Sequence, residues 1–252
     1  MSHLFVLTYK KGSFMKHSKF SIFLQISIPA IIALCTILCA VILTPKQNSK
    51  SIFDEYYNQK CETYRMENAY LSKGQIVFVG DSNTDLCKLD DYYSDLDKAV
   101  YNRGIGGDTT SGVLNRLQVS LFDIAPSKIV LLIGNNDING NRDFDTIVKN
   151  YKSILTQIHQ NLPTAEVFCI SVIPLHEKLN NIVVVDDKNH TASLLNVQIK
   201  NLADEFSYTY LDLFHLICDE NQRTKDEYTT DGLHLSAKGY EAWASLVKPY
   251  LV

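Results

Sequence analysis

The stretch "QIVFVGDSNTDL", residues 75–86, joins an apolar run directly to Gly80, Asp81 and Ser82. Continuous apolar runs of this kind are typical of strands buried on both faces of a parallel sheet. Gly-Asp-Ser alone is also an ordinary turn, in which Asp81 or Ser82 caps the next helix. It is not a G-x-S-x-G nucleophile elbow, because Thr84 stands where the second glycine would be. The role of Ser82 therefore depends on what the other strands place beside it.

Four further apolar runs follow, and helical patterns separate several of them. The five predicted strands are residues 75–80, 99–104, 128–134, 166–172 and 208–213. Apolar residues recur at helical spacing in residues 144–162, 195–206 and 240–251. Ser236 is placed to cap the last of these helices. Alternating strands and helices predict an α/β fold, a three-layer α/β/α sandwich around a five-stranded parallel sheet.

Polar residues follow the second and third predicted strands. Ligands of open parallel sheets collect at the carboxyl ends of the strands. The second strand runs into "GIGGDTT", residues 104–110, where the backbone N–H of a glycine could bind an anion. The third ends in "GNND", residues 134–137, where an asparagine amide could be a second donor. Each segment is also an ordinary turn when taken singly.

Asp231 and His234 lie three residues apart in "TTDGLHLSAKGY", residues 229–240. A single histidine is more often structural than catalytic. This spacing nevertheless allows Asp231 to accept the Nδ1 proton of His234 while Nε2 faces outward. A general base acting on a serine requires that arrangement.

Taken together, these separated motifs resemble those of the SGNH hydrolases, also called GDSL-type esterases. The "GIGGDTT…RL" pattern, residues 104–117, is similar to the platelet-activating-factor acetylhydrolase-like branch, and the resemblance covers roughly residues 74–250. It implies a flavodoxin-like hydrolase fold and hydrolysis of carboxylic esters without a cofactor. Two positions depart from the family pattern: Asn83 replaces a leucine and Leu235 replaces a proline. We expect these departures to affect which substrate shape the enzyme accepts more than the chemistry of the reaction.

The resemblance also implies a role for each matching position. It makes Ser82 the nucleophile, and it makes Asp231 and His234 the other members of a catalytic triad. The implied oxyanion donors are the backbone N–H groups of Ser82 and Gly107 and the side-chain amide of Asn136. The implied supporting positions are Asp81, Asn102 and Asp108.

The first fifty residues differ in composition from the rest, because they hold six lysines and no acidic residue. Residues 20–44 are uncharged and long enough to cross a membrane, so we predict a transmembrane signal anchor there. The lysine bias places residues 1–19 in the cytoplasm. A tether and leading helix (45–73) and the hydrolase domain (74–252) would then lie outside the cell. A cleaved signal, giving a secreted enzyme, and a start at Met15 instead of Met1 are alternatives.

Charge and metal-binding residues exclude several classes of function. The whole chain has a formal net charge of −4, and removing the six N-terminal lysines leaves about −10. This balance disfavours nucleic acid as a partner. No metal site is predicted from the dispersed histidines, which include His159, His176, His190 and His215. Buried thiols, or one or two disulfides, are expected of Cys61, Cys87, Cys169 and Cys218.

The expected substrates are short-chain acyl esters, acetyl above all, on cell-surface carbohydrate or wall polymer. The chain has no apolar insertion that would form a lipase lid, which favours short acyl groups. A lysophospholipase or thioesterase is the alternative, because the anchor would hold the site near lipid. From a different class, an inactive membrane-tethered binding module is also considered, although every reacting position is filled. The sequence leaves the oligomeric state open.

Overall fold

Five parallel strands form the central sheet of the computed structural model, which describes residues 49–178 and 185–252. The strands are β1 (Ile76–Gly80), β2 (Val100–Gly104), β3 (Lys128–Leu132), β4 (Glu166–Ile170) and β5 (Thr209–Leu211). Their order across the sheet is β2-β1-β3-β4-β5, and every neighbouring pair is parallel. The predicted five-stranded parallel sheet is confirmed. The order places β1, the strand that runs into Ser82, between β2 and β3.

Helices follow or connect the strands. They are α1 (Ser49–Asn68), α2 (Ser82–Asp85), α3 (Leu89–Tyr93), α4 (Thr110–Asn115), α5 (Asn135–Asn139), α6 (Phe144–Asn161), α7 (Val185–Glu205), α8 (Leu213–Ile217) and α9 (Ala237–Val247). A π-helical turn covers Gln118–Phe122, and 3₁₀ turns cover Asp226–Tyr228 and Lys248–Tyr250. Ser236 caps α9 by accepting a hydrogen bond from the backbone N–H of Gly239, as its position in the sequence predicts.

The two faces of the sheet carry separate hydrophobic cores, which confirms the three layers. Val77 and Val79 face the cluster that includes residues of α6 and α7. Ile76 and Phe78 face the opposite cluster, which includes Trp243 of α9. All four strand residues are fully buried, and each such side chain stabilises the fold by roughly 1.5–3 kcal/mol. Burial on both faces explains why the run is continuously apolar rather than alternating.

Helix α7 begins at Val185, well before residue 195, where its apolar pattern starts. The pattern is interrupted because asparagines occupy part of the buried face of the helix. Asn189 is buried, accepts a hydrogen bond from the backbone N–H of Leu175 at 2.7 Å and donates to its carbonyl at 3.0 Å. Asn196 makes the same pair of bonds to Val172, at 2.8 and 3.1 Å. These side chains bind the chain after β4 through its peptide groups, so the buried turns of α7 lack an apolar signature.

The predicted cytoplasmic segment (1–19) and transmembrane helix (20–44) lie outside the described residues. Among the helices that the structure does describe, none combines the length and the apolar character needed to cross a bilayer. The four cysteines within the described ranges are free thiols, so the alternative of disulfides among Cys61, Cys87, Cys169 and Cys218 is not realised.

Candidate active site

Ser82 lies at the carboxyl end of β1, as the first residue of α2, with its side chain partly exposed. The chain turns so tightly before it that only glycine fits at position 80. A Cβ on Gly80 would lie 2.2 Å from the carbonyl oxygen of Leu132 and 2.4 Å from Oγ1 of Thr84. Asp81, not Ser82, caps the short helix by accepting the backbone N–H of Asn83. The serine hydroxyl is therefore not used in capping.

The structure brings His234 and Asp231 to Ser82. Nε2 of His234 lies 3.0 Å from Oγ of Ser82, and its Nδ1 lies 2.6 Å from Oδ2 of Asp231. Oδ1 of Asp231 accepts the backbone N–H groups of Leu233 at 2.9 Å and His234 at 2.8 Å. Three side chains from two distant parts of the sequence thus form one continuous chain of hydrogen bonds.

The electrostatic state of Asp231 suits this arrangement. Partial burial would raise its pKa, but the hydrogen bonds from the backbone and ring of His234 and from Leu233 outweigh burial and hold the pKa below its usual value. An ionised Asp231 accepts the proton on Nδ1 of His234. The lone pair on Nε2 is then directed at the Ser82 hydroxyl.

Gly107 and Asn136 lie in the turns that follow β2 and β3. Gly107 is exposed and has a φ of +78°, a conformation that favours glycine. The Asn136 side chain donates to the backbone carbonyl of Asp108 at 2.9 Å, which joins the turn after β3 to the turn after β2. The Asn136 amide nitrogen carries two hydrogens, and this bond uses one of them. The two predicted donors thus lie at the same edge of the sheet.

Asp108 is held by Arg116, a residue to which the sequence analysis assigns no role. The two side chains are buried and form an ion pair of 2.7 Å. The guanidinium also donates to the carbonyls of Gly80 at 3.0 Å and Arg103 at 2.8 Å, and to Ser120 at 2.8 Å. Arg116 therefore fixes the ends of β1 and β2 relative to each other. Removing one partner of such a buried pair typically costs about 3–5 kcal/mol.

Asn102 binds the turn that carries the serine. Its side-chain amide donates to the carbonyls of Thr84 at 2.7 Å and Cys87 at 3.0 Å, and its oxygen accepts the N–H of Gly104 at 2.8 Å. These bonds join the carboxyl end of β2 to the segment after Ser82.

Asp81 is almost fully buried beneath Ser82. Its Oδ1 accepts the backbone N–H of Asn83 at 3.0 Å, whereas Oδ2 has no hydrogen-bond partner among the described residues. Burial is the main cause that raises the pKa of Asp81 to about 7. The residue supports the turn from below and is not placed to contact a substrate.

Asn83 and Leu235 are 1% and 4% exposed, so neither side chain lines the site. The expected effect of these two departures on the substrate stays a prediction, and it would have to act through the groups that the two buried residues contact. Oδ1 of Asn83 accepts the backbone N–H of Leu235 at 3.0 Å, and Nδ2 approaches the carbonyl of Leu233 at 3.5 Å. The residue after the serine thus binds the peptide groups on both sides of His234. Only the three-dimensional contact reveals this role.

The segment after β4 also contacts the loop that carries His234. The backbone N–H of His176 donates to the carbonyl of Gly232 at 2.9 Å, and its ring lies 3.8 Å from Asp226. Within residues 49–178 and 185–252, no group of three or more His, Cys, Asp or Glu side chains is arranged to hold a metal ion.

Comparison with known proteins identifies one family. The model of the GDSL-like lipase/acylhydrolase family matches residues 78–242. The chain is 29% identical over 177 residues to the alpha2 subunit of platelet-activating factor acetylhydrolase IB from Rattus norvegicus, covering 69% of this chain and 73% of that protein. The Homo sapiens protein matches with the same identity and coverage.

Solved structures share the fold. A Streptococcus pneumonia structure with a provisional platelet-activating-factor assignment superimposes with a TM-score of 0.74 at 29% identity, covering 81% of this chain and 96% of that one. A GDSL-like lipase from Bacteroides thetaiotaomicron gives a TM-score of 0.68 at 23% identity, with coverage of 78% and 98%. An acetyl-xylooligosaccharide esterase from Geobacillus gives 0.57 at 16% identity, with coverage of 72% and 95%. The last two likenesses concern the fold alone.

Proposed function

We propose that this chain, which belongs to the GDSL-like lipase/acylhydrolase family and is a carboxylic ester hydrolase, removes short acyl groups, acetyl above all, through a Ser82–His234–Asp231 triad. Cell-surface carbohydrate or wall polymer is the proposed carrier of these groups. The observation that carries the proposal is the hydrogen bond of 3.0 Å between Oγ of Ser82 and Nε2 of His234. A serine activated in this way is the nucleophile of acyl transfer.

The reaction proceeds in two halves. His234 takes the proton from Ser82 as Oγ attacks the ester carbonyl carbon, and the carbonyl oxygen becomes an oxyanion. His234 then gives this proton to the leaving alcohol oxygen as its bond to carbon breaks, which leaves an acyl-enzyme on Ser82. Water, deprotonated by His234, then attacks the acyl carbon. The bond from this carbon to Oγ of Ser82 breaks as His234 returns the proton to Oγ, and the carboxylic acid leaves. Asp231 stays ionised throughout and stabilises the imidazolium.

The oxyanion is stabilised by the backbone N–H groups of Ser82 and Gly107 and by the Asn136 amide. This role of Asn136 is supported by the bond of one amide hydrogen to the Asp108 carbonyl, at an N–O distance of 2.9 Å, which leaves the second hydrogen for the oxyanion. Donors that are already in place need no rearrangement as the charge develops. Each donor of this kind contributes on the order of 10²–10³ in turnover.

Support for a short acyl group comes from the curated relatives, whose name is acetylhydrolase. The lysine-flanked apolar segment at residues 20–44 supports a location at the outer face of a cell membrane. Wall or surface polymers are the acyl carriers within reach of such a domain.

The test combines a covalent probe with a panel of esters, applied to the full chain. We expect a fluorophosphonate to label Ser82, and we expect kcat/KM for p-nitrophenyl esters to be highest with acetyl and to fall as the acyl chain lengthens. Preference for chains of eight or more carbons would overturn the acetyl assignment and favour a lysophospholipase or thioesterase. A folded chain that neither reacts with the probe nor hydrolyses any ester would instead be a binding module.

A further inference from the structure

Helix α1 is docked on the loop that carries Gly107. Oδ2 of Asp85 accepts both the Tyr56 hydroxyl at 2.6 Å and the Gly106 N–H at 2.9 Å. Oδ1 of the same carboxylate binds Lys60 at 2.7 Å. One carboxylate therefore fixes the helix and the loop relative to each other, at three residues beyond Ser82.

Phe53, near the start of this helix, lies against Gly107. A Cβ built on Gly107 would meet two ring carbons of Phe53 at 3.0 and 3.1 Å. The ring nevertheless remains 60% exposed. An aromatic ring is thus held with one edge against a proposed oxyanion donor and with most of its area open to a ligand.

A cleft of about 310 Å³ opens between the helix and the loop. Its walls include Phe53, Asp54, Gly107, Asn115 and Arg142. An alkyl chain in this cleft would remove water from carboxylate, amide and guanidinium groups without replacing their hydrogen bonds, which is unfavourable. A hydroxyl-bearing ring could bond to these groups and lay an apolar face on Phe53.

We propose that this cleft binds the hydroxyl-bearing part of the ester substrate, with Phe53 as its platform. The proposal rests on the function proposed above, because Gly107 connects the cleft to the site of acyl transfer. In this proposal helix α1, which precedes all the hydrolase motifs in the sequence, is part of the substrate site. Selectivity between simple and polyol esters would then depend on Phe53.

The test compares two acetyl esters, p-nitrophenyl acetate and an acetylated xylo-oligosaccharide. We expect Phe53→Ala to lower the ratio of kcat/KM for the oligosaccharide to that for p-nitrophenyl acetate by about 3- to 10-fold, through KM. Met66→Ala is the matched control, because Met66 lies on the same helix with 59% exposure and should leave the ratio unchanged.

An unchanged ratio in Phe53→Ala would overturn the cleft assignment, as would a full chain that hydrolyses p-nitrophenyl acetate but not the oligosaccharide. Failure of the proposed function would show differently, as hydrolysis of neither ester. Calorimetric titration with the deacetylated oligosaccharide would still decide the cleft in that case. Binding that weakens in Phe53→Ala supports it, and the absence of binding to either chain overturns it.

A second inference comes from the bond between Asn83 and Leu235. Because Asn83 follows Ser82 directly, its amide connects the serine turn to the loop of His234 without intervening groups. Its backbone carbonyl also accepts the Tyr240 hydroxyl at 2.9 Å, which adds α9 to the same junction. Both members of the pair are buried, so water does not replace a lost partner there.

The two departures from the family pattern depend on each other. Proline has no backbone N–H, so a proline at position 235 would leave Oδ1 of Asn83 buried without its donor. Leucine at position 83 would in turn leave the N–H of Leu235 without its acceptor. We infer that Asn83 and Leu235 are a coupled pair that positions His234 against Ser82 in the proposed reaction.

A double-mutant cycle with p-nitrophenyl acetate tests the coupling. We expect Asn83→Leu and Leu235→Pro each to lower kcat by on the order of 10²-fold with little change in KM, because a displaced base loses alignment. The double variant should recover much of this loss. Leu235→Ala, which keeps the N–H, should retain a higher kcat than Leu235→Pro.

Thermal unfolding followed by circular dichroism separates loss of positioning from loss of the fold. Folded single variants with unchanged kcat would overturn the inference, and so would losses that multiply in the double variant. If the single variants fail to fold, folding of the double variant supports the pair. The remaining case is that the two single variants and the double variant all fail to fold. If Leu235→Ala then has the same kcat as the parent chain, Asn83 has only a structural role and the inference is overturned.

Discussion

Ser82→Ala is expected to lower the hydrolysis of p-nitrophenyl acetate by about four to six orders of magnitude, because no other group can form the acyl-enzyme. The residual rate would come from the oxyanion donors and substrate binding alone. Fluorophosphonate labelling should disappear together with the activity. Steady-state kinetics of the purified full chain, with labelling followed on a gel, provide the measurement.

The fold should survive this substitution, because Asp81 and not Ser82 caps α2. The thermal unfolding midpoint of Ser82→Ala should therefore remain close to that of the parent chain. Ser94→Ala is a suitable control, since Ser94 is an exposed serine at the end of another short helix, α3. A folded Ser82→Ala chain with parental activity would rule out Ser82 as the nucleophile.

His234→Ala is expected to lower kcat by on the order of 10⁴-fold or more, because Ser82 then lacks a base. The chain contains a matched control in His215. Nδ1 of His215 lies 2.7 Å from Oδ2 of Asp212, and its backbone N–H donates to Oδ1 at 3.0 Å. This pair has the spacing and the hydrogen bonds of Asp231 and His234, but it lies exposed on α8.

His215→Ala should leave kcat within about twofold of the parent, because an Asp–His pair acts as a base only when Nε2 faces a nucleophile. The hydrogen bonds of the described residues place a serine hydroxyl at Nε2 of His234 and none at that of His215. Equal effects of the two substitutions in folded chains would contradict the assignment of His234. Kinetics with p-nitrophenyl acetate and circular dichroism decide between these outcomes.

Much of this site follows from the sequence because few residue types perform its chemistry. The continuous apolar run before Gly80 predicts a strand buried on both faces, and parallel strands bring their polar ends to one edge. Ser82, Asp231 and His234 are then identifiable by type and spacing. The structure places them within 3.0 Å of one another along the chain of hydrogen bonds.

The residues that hold the site in place are harder to predict, because they bind peptide groups that every residue carries. Arg116 binds the carbonyls of Gly80 and Arg103, and neither partner has a distinctive side chain at that contact. Asn83 binds the N–H of a leucine 152 positions away. Sequence patterns report side-chain types, so contacts of this kind become visible only in the folded chain.

The loop of His234 is held almost entirely through its own backbone. Asn83 binds the peptide groups of Leu233 and Leu235, and the N–H of His176 binds the carbonyl of Gly232. The side chain of Leu233 takes part in none of these bonds. Natural variation or laboratory evolution can reshape this rim while the reacting geometry persists, so the substrate range of the enzyme can diverge without a new catalytic design.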